Sequence, residues 1–355
     1  MKFSISAEIL KEGLTKVSKG LSEKTEYGKV IRVAASKDAV SLVTTNGETD
    51  YRWTYTNTDH FQTEDAGEVT TVAEKLLGAA EYLKDQVSFL LEDNLVKVSA
   101  GKVQLEVKTS DIDISILPPT TPDIRFSFDT ALEIPKIIHA MSEDPSKPKM
   151  LGVLIDLKSE GENKAVVFKA VQPNRAAKIE LTFESDDSIT KQIVVPCFIA
   201  KMMSSETLKG VSMDGKTLIA CFNNYEVRTP VVEIPFMNPD SAFANSGTRS
   251  VKFSRNELAK ALRLIRASDK QNHLAKFQVG SDSTEISAYN EKTGKSKVTV
   301  KSNSAEKFNL SLNFKFVLDL LGSLDGDEEI EFKNEGKIFS YKNDRLHFVT
   351  TVFGA

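Results

Sequence analysis

Apolar and polar positions along the chain change period several times, and the changes recur. Near the start, Leu10, Leu14, Val17 and Leu21 fall on one stripe at 100° per residue, the spacing of a helix with one buried face. Ser6 is placed to cap that helix and Gly20 to stop it. Lys102 to Val107 alternates with period two, as a half-buried strand does. Ile219 to Phe222 and Glu226 to Val231 flank Asn223-Asn224 and predict a hairpin, as do Lys337 to Tyr341 and Leu346 to Thr350. A second helical stripe, Leu258, Leu262 and Ile265, follows the capping box Ser254-x-x-Glu257.

These signals belong to a repeat. A basic residue followed by Phe-Ser occurs at Lys2-Phe3-Ser4, Arg125-Phe126-Ser127 and Lys252-Phe253-Ser254, at intervals of 123 residues (2 to 125) and 127 residues (125 to 252). Each copy reads as a short strand running directly into a helix. A second helix follows in every copy, over Glu74 to Leu83, Phe198 to Ser204 and Phe314 to Leu324. In the middle copy the regular turns of the first helix start at Pro135, because proline suits the first helical position. Pro118-Pro119-Thr120-Thr121-Pro122 and the polar stretch from Asn238-Pro239-Asp240 to Thr248 read as linkers. The fold class expected is α+β, with three similar domains at 1–120, 124–240 and 250–355. Each holds two helices packed on antiparallel sheets.

Composition narrows the function. With 40% apolar and 27% charged residues the chain is an ordinary folded protein, and a net charge of −4 excludes a wholly basic nucleic-acid coat. Cys197 and Cys221 have no CxxC spacing, and His60, His139, His273 and His347 are scattered singly, so neither metal nor cofactor is expected. No 18-residue apolar run exists and Met1 to Leu10 has no signal-peptide core, so the expected location is cytoplasmic, with no membrane partner.

Charge is segregated on the helices. Lys11, Lys16 and Lys19 lie away from the first stripe, and Lys260, Arg263 and Arg266 lie opposite the third-domain stripe, with Lys270 just beyond. Lys136, followed by Lys147 and Lys149, is a weaker version in the middle domain. Positive faces on an acidic molecule attract phosphate at one place and repel it elsewhere. No aromatic residue interleaves these cations and no Asn, Gln and Arg set is aimed at base edges, so the expected contact is with a duplex backbone, independent of sequence.

Gly210-x-x-x-x-Gly215-Lys216-Thr217 matches the phosphate-loop pattern. That chemistry needs a strand before the loop and a helix after it, whereas here a helix precedes and a strand follows. The expectation is a polar helix-to-strand connection. No nucleophile elbow or cysteine–histidine signature occurs, and Asp186-Asp187 and Asp327-Glu328-Glu329 sit in polar turns. No catalytic residue and no enzymatic activity are expected.

The three-copy layout, the Met1-Lys2-Phe3 opening, Leu151-Gly152-Val153-Leu154, Ile193-Val194-Val195-Pro196 before a helix, and Asn313 with Phe316 to Leu321 together resemble the bacterial DNA polymerase III β sliding clamp family. The resemblance implies a head-to-tail homodimeric ring around double-stranded DNA, whose helices line the hole. DNA polymerase and clamp loader would dock through short peptide motifs. It adds Lys24 and Lys201 to the DNA-facing cations. It implies a dimer interface between a first-domain edge with Val103, Leu105 and Val107 and a third-domain edge with Lys295, Lys297 and Thr299. It also implies a peptide pocket walled by Met150, Val171, Pro173, Asn174, Arg175 and Ala176, with Pro239, Phe243, Val352 and Phe353. There the family run Thr-Asp-Gly-His-Arg-Leu-Ala is replaced by Val171 to Ala177, a divergence that suits a clamp carried by a phage or other mobile element. Arg175 is expected as a rim cation, and Val352 and Phe353, after the last hairpin strand, at a domain edge. The alternative is a β-rich interaction protein built from the same repeats that does not encircle DNA.

Overall fold

The computed structural model describes residues 1–355 apart from 57, 116–119, 161–162, 184–189, 232, 245–246, 269–272, 293, 327–328 and 354–355. Pro118-Pro119, Asp186-Asp187, Lys270 and Asp327-Glu328 therefore lie outside the described residues. One order of elements recurs three times, with β5 as an extra strand in the first copy and the opening helix of the second divided into α3 and α4. The first copy runs β1 (Lys2–Ser6), α1 (Ala7–Val17), β2 (Val30–Ala35), β3 (Val40–Thr45), β4 (Asp50–Tyr55), β5 (Phe61–Asp65), β6 (Gly67–Val72), α2 (Ala73–Ala80), β7 (Gln86–Glu92), β8 (Leu95–Ala100) and β9 (Val103–Lys108). The second runs β10 (Ile124–Arg125), α3 (Phe128–Glu133), α4 (Pro135–Ile138), β11 (Val153–Glu160), β12 (Asn163–Gln172), β13 (Arg175–Thr182), β14 (Lys191–Val195), α5 (Cys197–Met202), β15 (Gly210–Asp214), β16 (Thr217–Cys221) and β17 (Tyr225–Pro230). After α6 (Asp240–Phe243) the third runs β18 (Arg249–Ser254), α7 (Arg255–Ser268), β19 (Leu274–Val279), β20 (Ser283–Asn290), β21 (Gly294–Asn303), β22 (Phe308–Asn313), α8 (Phe314–Ser323), β23 (Glu329–Glu335), β24 (Ile338–Lys342) and β25 (Leu346–Thr351).

One pairing rule holds in every copy. The opening strand pairs antiparallel with the strand after the second helix: β1 with β7, β10 with β15, β18 with β23. A second rule joins copies. The last strand of the second copy, β17, pairs with β4, and the last strand of the third, β25, pairs with β13. The chain accordingly forms two compact units, residues 1–125 with 208–231 and residues 126–207 with 232–355. The first holds a five-stranded sheet, β5-β1-β7-β8-β9, and an eight-stranded one; the second holds a twelve-stranded sheet.

The helical stripes are buried as their spacing requires. Leu10, Leu14 and Val17 of α1 and Leu258, Leu262 and Ile265 of α7 are core residues, while Leu21 is only half-buried. α1 lies directly on β4, since a Cβ at Gly13 would stand 2.6 Å from the buried Trp53 ring. Ser6 makes no side-chain cap; instead the Ala7 amide donates to the Asp85 carbonyl at 2.8 Å. Ser254 Oγ accepts from the Glu257 amide at 3.4 Å. In the second copy a helical turn precedes Pro135, because Ser127 Oγ accepts from the Thr130 amide at 3.2 Å and starts α3; Pro135 then opens α4.

Two further expectations are corrected. Gly210 to Thr217 is not a helix-to-strand connection but the β15–β16 hairpin, with Gly215 at φ +57° in the turn. Its backbone amides are committed to a sheet, so no phosphate cradle forms there. The stretch read as the second linker holds the short helix α6.

Candidate nucleic-acid interface and partner site

The helix faces sort the predicted cations by what neutralises them. Lys11 on α1, Lys19 in the turn after it, and Lys260, Arg263 and Arg266 on α7 are exposed and have no ion-pair partner among the described residues. Lys24 and Lys149 are likewise exposed and unpaired, whereas Lys16 is half-buried. Three others are engaged. Lys136 is held by Asp325 at 2.6 Å and by Glu133, one helical turn before it, at 2.9 Å. Burial disfavours its ammonium, but these carboxylates outweigh that and raise its pKa above the ordinary lysine value. Lys136 is therefore a structural tie rather than an open cation. Lys201 pairs with Glu143 at 2.7 Å and Lys147 with Asp144 at 3.6 Å, both at the surface. Sequence reading passed over Lys75 on α2 and Lys315 on α8, which are exposed and have no ion-pair partner among the described residues.

The residues implied for the peptide pocket separate into three groups. Met150, Val171, Ala176 and Phe243 meet in one apolar cluster with Val349, and Phe236, Ala242 and Ile338 pack against it. Phe243 is placed by α6, which follows Pro239, and its ring stands 4.9 Å from that of His347 and 5.1 Å from Lys178 Nζ. α6 is pinned from below by Lys169 of β12, a buried ammonium 2.9 Å from Asp240 and 3.4 Å from Asp156. Burial alone would raise the Asp240 carboxyl, but Lys169 and Asn238 hold it below the usual range. No periodic signal marks Lys169, since it sits inside the run Val166 to Val171 where both faces are buried.

The second group is the Pro173-Asn174 turn between β12 and β13, with Asn174 at φ +72°. The Asn174 carbonyl accepts from the Thr351 amide at 2.9 Å and the Thr350 hydroxyl at 3.0 Å. The C-terminal residues form the third group, and their expected freedom is corrected. Val352 is buried and its amide donates to the Lys337 carbonyl at 2.8 Å, so it continues the β24–β25 ladder; the Phe353 amide donates to the Ser311 carbonyl at 2.8 Å.

Arg175 is not a rim cation. Alternation along β13 turns it away from Ala176 and the cluster. Its guanidinium, nearly buried, donates to Asp319 Oδ2 at 2.7 Å and lies 4.3 Å from the Phe316 ring centroid. It borders a different, polar groove of about 920 Å³, lined also by Leu132, Lys136, His139 and Lys315. His139 and His347 both stay neutral at neutral pH. Burial, helped by Arg175, lowers His139 to about 3, and burial, helped by Lys178 and Lys342, lowers His347 to about 4.

The two strand edges are present, each in its own unit. Beyond β8, β9 pairs with no further strand over Val103 to Val107, and only its end is tied to β6, with the Thr71 hydroxyl donating to the Lys108 carbonyl at 2.8 Å; β21 pairs with β20 along its length and with β18 only at Ser302 and Asn303. Val103, Leu105 and Val107 line the inward face of β9, whereas Lys295, Lys297 and Thr299 lie on the exposed face of β21. The two expected sets thus belong to opposite faces.

No protein-family model and no curated protein matches the sequence. Solved structures match it throughout. The β subunit of DNA polymerase III from Pseudomonas aeruginosa is similar with a TM-score of 0.83 and 18% identity, covering 100% of both chains. The Helicobacter pylori β clamp, bound to a DNA ligase peptide, gives 0.86 and 14%, again over 100% of both. The DNA polymerase III β subunit of Thermotoga maritima gives 0.82 and 17%, over 100% of this chain and 99% of that one. With likeness running from end to end and the same strand–helix unit laid down three times, the chain has the fold of the bacterial DNA polymerase III β sliding clamps.

Proposed function

We propose that this protein is a DNA sliding clamp, a non-catalytic, head-to-tail homodimeric ring of three domains per chain (1–120, 124–240, 250–355). It encircles double-stranded DNA without sequence specificity and tethers a polymerase, its loader and other partners through short peptide motifs. The observation that carries this reading is the set of unpaired cations on a clamp fold. In a chain of net charge −4, the equivalent helices of the first and third copies hold Lys11, Lys260, Arg263 and Arg266 exposed and unneutralised, with Lys19 beside them. Contacts of this kind reach phosphates, carry no base information and weaken with salt, which permits sliding while ring topology prevents escape. The stretches Val103 to Val107 of β9 and Gly294 to Lys301 of β21, each paired on one side only, offer backbone groups for closing the ring, because an open edge invites another strand. The cluster around Met150 and Phe243 offers a place for apolar peptide anchors. Particle imaging of the purified protein tests the reading: closed rings with a central hole are expected, and compact or open particles would overturn it in favour of an interaction protein that does not encircle DNA.

A further inference from the structure

The two junctions between copies inside the chain share one register. Both last strands open after a two-residue turn, with the Phe222 amide donating to the Tyr225 carbonyl and the Asn343 amide to the Leu346 carbonyl. Their first residues face equivalent positions, Tyr225 opposite Trp53 and Leu346 opposite Ile179. Trp53 lies four residues beyond Thr49 and Ile179 four beyond Arg175, the residues that close their own hairpins against Asn46 and Gln172. Each junction therefore completes a buried row across four strands. One is Val33–Leu42–Trp53–Tyr225 and the other Ile155–Phe168–Ile179–Leu346.

The third copy begins the same row and stops at an edge. Phe277 faces Ile286, and Ile286 faces Val298, which is only half-buried. Val298 lies four residues beyond Gly294, the residue that closes its hairpin against Asn290. At the other free edge, Val103 opens β9 after the Gly101-Lys102 turn, as Tyr225 and Leu346 open their strands, and it too is only half-buried.

We infer that two copies of this chain join in the internal register, with Val103 opposite the partner's Val298 and Glu106 opposite the partner's Lys295. This rests on the ring reading above and adds what that reading lacks, an alignment and a specificity device. The Glu106 position corresponds to Arg228 of β17, and the Lys295 position to Asp50 of β4; Arg228 and Asp50 face each other in the first internal junction. The signs are reversed between the internal and the intermolecular junction. If β9 took the place of β17 against β4, Glu106 would face Asp50; if β17 docked on β21, Arg228 would face Lys295. Like charges directly opposite in a sheet are destabilising, so each edge rejects the wrong strand. Lys97, already the cross-strand neighbour of Glu106, extends the alternation to Lys97–Glu106–Lys295 across the seam.

Cysteine cross-linking under mild oxidation, with light scattering on the same samples, tests the register. In the full chain, Glu106→Cys with Lys295→Cys is expected to give a covalent dimer. Gln104→Cys with Lys295→Cys, and Glu106→Cys with Lys297→Cys, both shifted by two residues, are expected to give little above the parent. If the protein is a dimer but a shifted pair cross-links best, the register is wrong while the ring stands; if light scattering returns a monomer, the ring reading itself falls. Charge exchange tests the specificity device. Glu106→Lys alone and Lys295→Glu alone should each weaken dimerisation at least about tenfold, since both seams of a ring are affected. The double exchange should restore it. Equal loss in the double variant, with unchanged melting of the folded chain, would overturn the pairing.

Discussion

Arg175 shows how a side chain can be legible in sequence and still be misread. The family resemblance picks out its position, but its burial, its bond to Asp319 and its stacking over Phe316 depend on a partner 144 residues away. Removing one member of such a pair strands the other charge, so Arg175→Ala is expected to lower stability by about 2 kcal/mol. That value is below the cost for a fully buried pair, because the Asp319 side chain keeps 29% of its surface in water. A urea midpoint equal to that of the parent would show that the pair is not structural. The histidines make a second prediction at this scale. His139 is lowered to about 3 and His347 to about 4, both below the ordinary 6.5 of an unfolded chain. Below pH ~6.5 the unfolded state therefore binds protons that the folded state refuses. Stability from these groups is fully present above that pH and falls as pH drops toward 4, by up to about 1.4 kcal/mol per pH unit for each. Urea midpoints at pH 7, 5.5 and 4.5 check this: His347→Gln should flatten the decline, and an identical slope in parent and variant would remove His347 from the account.

At the scale of elements, α7 is the cleanest test of the DNA-facing assignment. Leu258, Leu262 and Ile265 are buried while Lys260, Arg263 and Arg266 are exposed, so reversing the three cations to glutamate should leave folding and dimerisation intact. Duplex affinity should fall, and the slope of log affinity against log salt should shrink by about 0.9 for each phosphate no longer neutralised. An unchanged slope, read by fluorescence anisotropy, would place these helices away from DNA. The C-terminal segment makes the opposite kind of prediction. Because Val352 is buried and its amide extends the last ladder, deleting residues 352–355 should cost about 2 kcal/mol of stability from reduced burial and hydrogen bonding. A thermal melt matching the full chain would show that the tail is held only weakly. Helices such as α1 and α7 were readable because a buried stripe has a fixed angular period. The strand β15, Gly210–Asp214, was not, because five residues with only Val211 and Met213 apolar look alike as loop or strand until the partner β16 is known. α6 escaped for a related reason: four residues carry no period, and what holds them is Lys169 from a distant strand.

At the scale of the whole molecule, the threefold repeat was visible in the spacing of three short tripeptides, and the order of elements follows it. The joins between copies were not visible in the chain alone, since β17 reaches back to β4 and β25 to β13 across more sequence than any local pattern spans. The same kind of join has no partner within the chain for β9 or for Gly294 to Lys301 of β21, and from these two comes the last prediction. If the dimer closes around DNA, retention should depend on the topology of the DNA more than on contact strength. Phosphate contacts through a handful of lysines and arginines lose most of their affinity between low salt and about 0.2 M. A protein held only by such contacts should leave circular and linear duplexes alike. Dimers dissociated by dilution and reassociated with nicked circular duplex should instead stay bound through a wash at about 0.5 M salt, where surface electrostatics are screened to a few ångströms. Cutting the circle once with a restriction enzyme should then release them by sliding off the ends, leaving protein and DNA otherwise unchanged. Gel filtration of the washed complex before and after cutting reads the result. Equal loss from circle and line in the wash would mean that the cations bind DNA without a ring around it, and equal retention after cutting would mean a contact far stronger than this surface can supply.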